Sequence, residues 1–109
     1  MSLLNEMILQ HNPSDENEWK QAMRESMQII ALSGLYRGNF FENAAFYGGT
    51  CLRIFHGLER FSEDMDFSLL HADENFSLEK WFDHLQLEFK AAGTTIEIER
   101  KNKTQKSMI

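Results

Sequence analysis

Two short segments hold the residue types that could do chemistry. One is Phe46-Tyr47-Gly48-Gly49-Thr50-Cys51-Leu52-Arg53; the other, ten residues after Arg53, is Glu63-Asp64-Met65-Asp66-Phe67. Gly48 and Gly49 lack a Cβ, so the backbone there can turn sharply and let a bulky anion approach its N–H groups. If Thr50 opens a helix, the unpaired N–H groups and positive dipole end of the first turn favour a phosphate. Arg53 falls one turn into that helix. Asp64 and Asp66, on the same face of a strand and about 6.6 Å apart along the chain, could converge on one or two hard cations. Two Mg²⁺ or Mn²⁺ ions about 3.5–4 Å apart would clamp the attacking and leaving oxygens of an in-line phosphoryl displacement. Arg60 and Ser62 lie in the loop that enters this strand, where they could meet a triphosphate or pair with Glu59 or Glu63.

Each half has a plain alternative, since a Gly-Gly pair often only makes a turn and an Asp-x-Asp run often only solvates a strand face. Together they say more. The strand's other face is Met65, Phe67 and Leu69, and two like charges side by side on such a strand cost stability unless a cation lies between them. A phosphatase of the haloacid dehalogenase kind would want Thr or Val where this chain has Ser68, and its motif near the start. A metal-dependent glycosyltransferase would leave Gly48-Gly49-Thr50 unexplained. The four histidines, His11, His56, His71 and His84, lack metal-ligand spacing and read as surface or packing residues. Cys51 has no histidine near it in sequence to complete a nucleophile pair and reads as packing.

The elements that must position these residues follow from periodicity and punctuation. Residues 14–33 predict a helix with Ser14 as its cap, Trp19, Ala22, Met23, Met27 and Ile30 on its apolar stripe, and Gly34 as its stop. Residues 35–43 mix aromatics with turn formers and have room for a short helix. Ala44-Ala45-Phe46-Tyr47 suits a buried strand ending at the glycines, and Thr50 to His56 a short helix closed by Gly57. Residues 64–69 alternate polar and apolar as a half-buried strand does. Phe76 and Trp81 can staple a helix over residues 77–92, with Ser77 as cap and Gly93 as terminator. Residues 94–100 alternate Ile96 and Ile98 against Glu97 and Glu99 and predict a third strand. The expected class is α/β or α+β, with helices covering a small mixed sheet.

Scale and charge bound the rest. A chain of 109 residues with 12% aromatic content affords one small folded domain, residues 1–109. Residues 1–99 contain all 17 acidic and only seven of the 11 basic residues, so the body is acidic and residues 100–109 form a basic tail. An acidic body repels polyanions, and a nucleic-acid partner would have to be met by a local basic patch. No apolar run approaches the ~20 residues of a membrane span. The first ten residues carry no Lys or Arg, so they do not read as a signal peptide, and a single cysteine suits a reducing, cytoplasmic compartment.

Gly48-Gly49-Thr50, Arg53 and Arg60-Phe61-Ser62-Glu63-Asp64-Met65-Asp66-Phe67-Ser68, with Phe55-His56-Gly57-Leu58 before them, resemble the signature of the AbiEii/AbiGii toxin-like nucleotidyltransferases. This is a branch of the DNA polymerase β-like superfamily. The resemblance runs from about His11 to Leu70 and more loosely to the end. It implies a minimal nucleotidyltransferase fold and transfer of a nucleoside monophosphate from an NTP to a tRNA or protein acceptor. The implied setting is a bacterial toxin–antitoxin or phage-defence locus with a cognate antitoxin as partner. Carried over by residue, it gives Asp64 and Asp66 the Mg²⁺ or Mn²⁺, Gly48, Gly49 and Thr50 the triphosphate cradle, and Arg53 with Ser62 its charge neutralisation. Superfamily members add a third carboxylate on a later strand, and this branch a further lysine and aspartate, which these residues lack. Glu97 and Glu99 are the candidates for that acid. The expectation is a part of a larger transferase, with a catalytically inactive nucleotide- or protein-binding remnant as the alternative. The open edge of a three-stranded sheet could pair with a second copy as a homodimer.

Overall fold

Ser2 caps the first helix by accepting a hydrogen bond from Asn5 N at 3.1 Å, and α1 (Leu3–Leu9) buries Ile8. The computed structural model describes residues 2–100. Helix α2 (Glu16–Arg37) is capped by Asp15 and not by Ser14: Asp15 Oδ1 accepts from Glu18 N at 2.8 Å. Ser14 instead donates its N–H and hydroxyl to Glu18 Oε1 at 2.9 and 2.8 Å, so the carboxylate three residues into the helix reaches back as in a capping box. Helix α2 also runs through Gly34 to Arg37. Gly34 does not stop it, because a helical glycine there permits close packing: a Cβ would stand 3.1 Å from Glu88 Cβ.

A 3₁₀ turn at Phe40–Glu42 leads into β1 (Ala44–Tyr47), and Gly48 joins it to α3 (Gly49–His56). Strand β2 (Asp66–Leu69) pairs antiparallel with β1, with Ala44 opposite Leu69, Phe46 opposite Phe67 and Tyr47 opposite Asp66. Ser77 caps a second 3₁₀ turn, Leu78–Trp81, which feeds α4 (Phe82–Ala91), so the helix expected over residues 77–92 opens as 3₁₀ and becomes α only at Phe82, with the Phe76 and Trp81 rings stacked 5.6 Å apart.

The domain is therefore α+β, and two expectations need correction. The strand at 66–69 begins two residues later than its alternation suggests, so Asp64 lies in the loop before it. Residues 94–100 form no strand, and the sheet among the described residues is a two-stranded antiparallel pair rather than a mixed one. Ile96 packs against Ile30, Phe89 and Ala92, and Ile98 against the cluster of Leu35, Phe40, Ala44, Trp81 and Leu85. Apolar burial alone thus accounts for the alternation, with no ladder partner.

Phe40, 2% exposed, organises the core. It meets Phe41, Phe67 and Trp81 edge to face at centroid separations of 5.3, 5.1 and 5.1 Å, pairs worth about 0.5–1.5 kcal/mol each beyond their burial. Trp81 Nε1 donates to Gly38 O at 2.8 Å, which fixes α4 against the end of α2. This packing holds β1 and β2 rigidly beneath the Gly48 turn.

Candidate functional site

Three consecutive residues at the β1–α3 junction each meet a residue of the 60–66 segment. Gly48 has φ +89°, and a Cβ there would stand 2.6 Å from Asp66 Oδ2, so the Asp66 carboxylate lies directly over its backbone. A Cβ on Gly49 would stand 3.1 Å from Ser62 Oγ and 3.7 Å from Arg60 Nη2. The Thr50 hydroxyl donates to the Asp64 carbonyl oxygen, and Thr50 is fully buried. Thr50 therefore does not cap α3. Gly48 occupies that place, and no side chain caps the first turn by a hydrogen bond. Thr50 offers a ligand only its backbone, while its side chain fixes the loop before β2.

Asp64 and Asp66 are both exposed, whereas Met65 and Phe67 between and beyond them are half-buried. Tyr47, opposite Asp66 in the register, is exposed beside it. Arg60 is exposed and makes no ion pair among the described residues; Glu63 pairs with Arg24 at 3.1 Å instead. Gly48, Gly49, Arg60, Ser62 and Asp66 thus lie together, with the Asp64 backbone held beside them by Thr50.

Arg53 does not join them. Its Nε donates to Glu25 Oε2 at 2.6 Å, and its Nη1 donates to Glu59 O at 2.5 Å and Leu58 O at 3.2 Å. Its guanidinium carbon lies 4.0 Å from the Phe61 ring centroid. A cation so engaged is occupied with holding residues 58–61 against α3, and the guanidinium nearest Gly49 belongs to Arg60. Burial alone would push the Glu25 carboxyl up, but hydrogen bonds from Arg53 and His11 and their charges outweigh it and hold it below the usual carboxylate range. His11 presents Nε2 to Glu25 Oε1 and Nδ1 to Met7 O, each at 3.1 Å. A second buried polar residue of α2, Gln28, donates to Ser62 O at 2.8 Å and Glu63 O at 3.2 Å. Glu25 and Gln28 were invisible to a reading that assigns polar helix positions to solvent. Their signal, if any, is that both flank the Ala22–Ile30 stripe.

The donor set suits a cation of the magnesium kind, which binds through one or two carboxylates, keeps waters and takes further oxygens from substrate phosphates. Among the described residues no group of three or more His, Cys, Asp or Glu side chains comes together. Neither Glu97 nor Glu99 joins Asp64 and Asp66; both are exposed, and Glu99 lines a groove with Phe76, Leu78 and Phe82. No helix among the described residues is long and apolar enough to cross a membrane.

Residues 30–109 match the family described as nucleotidyl transferase AbiEii toxin, type IV TA system. Neither the curated proteins nor the solved structures gave a match. The match takes in the Gly48 turn, the loop and both aspartates, and it covers most of the chain. The chain belongs to the AbiEii nucleotidyl transferase toxin family of type IV toxin–antitoxin systems.

Proposed function

We propose that this domain binds an NTP with a divalent cation and transfers its nucleoside monophosphate to a tRNA or protein acceptor, as the toxin of a toxin–antitoxin pair whose antitoxin is its cognate partner. The observation that carries the reading is the three-point convergence of Gly48, Gly49 and Thr50 on Asp66, on Ser62 with Arg60, and on Asp64. Asp64 and Asp66 would hold Mg²⁺ or Mn²⁺, which supplies positive charge to the triphosphate. Gly48 and Gly49 would present their N–H groups to phosphate oxygens beside the Asp66 carboxylate and the Ser62 hydroxyl, where a Cβ at either position would crowd them. Ser62 adds a hydroxyl donor, and Arg60, rather than Arg53, adds the cation that neutralises the triphosphate. A reducing cytoplasm is the compartment in which such chemistry finds its NTP.

A second reading has one observation in its favour. With two carboxylates at the site and no third among the described residues, these 109 residues taken alone suit nucleotide binding better than turnover, because positioning an acceptor hydroxyl calls for a firmly held second cation. Thermal unfolding with Mn²⁺ and a non-hydrolysable NTP tests the common core of both readings. Ligand at about 100 times its Kd stabilises by about 2.7 kcal/mol, a rise of roughly ten degrees in a domain this small. Asp64→Asn and Asp66→Asn should each abolish most of that rise while leaving the ligand-free midpoint equal or higher, since each relieves like-charge repulsion. An undiminished rise in the double variant removes the metal assignment. Label transfer from radiolabelled NTPs to tRNA or protein extract then separates enzyme from binding module.

A further inference from the structure

Gln28 sits in the middle of α2, and only 6% of it is exposed. Its carboxamide nitrogen donates to two successive carbonyls, Ser62 O at 2.8 Å and Glu63 O at 3.2 Å, and the next carbonyl along, Asp64 O, accepts from Thr50. Three consecutive loop carbonyls, immediately before the exposed Asp64 carboxylate and β2, are therefore held by two buried side chains from two different helices. An unpaired buried carboxamide costs free energy, so the pairing is specific: a side chain lacking the donor leaves two carbonyls without it. The loop is short of regular structure, and Asp64 lies outside the strand, so no ladder bond fixes its position.

We propose that Gln28 is a positioning residue of the cation site, acting through the backbone of Ser62 and Glu63 to set where the Asp64 carboxylate stands. Resting on the nucleotide-and-cation reading above, this adds to the site a residue of α2 that lies outside the matched family segment. The donor, and not the bulk, of Gln28 is what matters. Gln28→Met keeps the length and volume of the side chain but removes the donor; Gln28→Asn keeps the donor but withdraws it by one methylene.

The test measures Mn²⁺ affinity in the presence of a non-hydrolysable NTP, together with metal-free inorganic triphosphate affinity and the thermal midpoint, on the full chain. Gln28→Met should weaken Mn²⁺ about tenfold and metal-free triphosphate by a clearly smaller factor, because the triphosphate meets the held loop only through Ser62 and Arg60 while the glycine turn is untouched. Gln28→Asn should fall between it and the parent. In a double-mutant cycle, Gln28→Met should add nothing to Asp64→Asn, since both remove the same contribution. A loss of Mn²⁺ affinity that simply adds to that of Asp64→Asn, or a parental affinity in folded Gln28→Met, overturns the proposal while leaving the site reading intact. If Gln28→Met does not fold, parental Mn²⁺ affinity in Gln28→Asn overturns it equally. Parental affinity in Asp64→Asn itself overturns the site reading, and the positioning role with it.

Discussion

At Gly48 a substitution meets two costs at once, and they can be separated. The residue has φ +89°, and a Cβ would stand 2.6 Å from Asp66 Oδ2; Gly57 has φ +76° with nothing within 4 Å. Gly57, with ψ 22°, is in the left-handed region, and Gly48, with ψ −167°, is in a region that essentially only glycine occupies, so alanine is strained at both, by about 1–3 kcal/mol and more at Gly48. Only at Gly48 does it also push the Asp66 carboxylate from its place. Gly48→Ala should therefore lower the thermal midpoint more than Gly57→Ala, and only Gly48→Ala should weaken Mn²⁺ and NTP binding, by tenfold or more. Equal binding by the two variants would reduce Gly48 to a turn residue. The same residue scale explains why Arg53 misled a reading from spacing. One turn into a helix behind a glycine pair is where a phosphate-binding cation belongs, but Glu25, 28 residues earlier in the chain, takes its guanidinium instead.

Helix α2 does two jobs on two flanks. Its apolar stripe, Ala22 and Ile30 among it, packs into the core, while Glu25 and Gln28 turn toward the loop between α3 and β2. The Glu25–Arg53 pair is mostly buried, with side-chain exposures of 10% and 20%, so removing one partner strands the other's charge. Arg53→Met should cost about 3–5 kcal/mol, a large share of the roughly 5–15 kcal/mol that holds a domain together. Arg60→Met, at an exposed position, should change stability by no more than about 0.5 kcal/mol yet weaken triphosphate binding severalfold. Calorimetry and binding on both variants decide which arginine braces and which one binds. The sequence carried β1, α3 and the Ser77-capped turn that leads into α4, because glycine punctuation, the Ser77 cap and the Phe76–Trp81 staple are local signals; that this turn is 3₁₀ and not α has no such signal. The Gly48 turn between β1 and α3 was legible for the same reason, whereas alternation put Asp64 on the strand and the structure puts it in the loop before β2. Helix α1 had its signals too, in Ser2 and the Leu4, Met7 and Ile8 spacing, though a reading alert only to targeting segments passes over them. Residues 94–100 show what alternation does not contain: it tells which side chains seek cover, as Ile96 and Ile98 do, but not whether a strand edge is there to receive the backbone. Glu25 and Gln28 lay beyond reach because their partners are 28–35 residues away, and no local pattern marks a polar residue that points inward.

Across the whole molecule Glu25 is the point where three separate parts meet: His11 after α1, Glu25 on α2, and Arg53 on α3 with the loop carbonyls it holds. Its carboxyl is held below the ordinary value of 4.5, burial opposing and the hydrogen bonds and charges of Arg53 and His11 prevailing. The sign of the linkage follows. The native state prefers the ionised form more than the unfolded chain does, so below the ordinary value the unfolded state binds more protons, and stability rises with pH there. The contribution is complete above the ordinary carboxylate value of 4.5 and is lost progressively as pH falls past it through the lower native value. Protonation would leave Arg53 facing a neutral acid and loosen the loop that carries Ser62 and Asp64, so acid should weaken the site along with the fold. Glu25→Gln supplies the control: it should be less stable than the parent at neutral pH, and its midpoint should fall less steeply between about pH 5 and pH 3, because the titrating group is gone. Thermal unfolding of both proteins across that range measures the two slopes. Parallel slopes would mean that Glu25 is not the group whose protonation unfastens α1, α2 and α3 from one another, whereas a flatter slope in Glu25→Gln ties the acid lability of the domain to this one buried carboxylate.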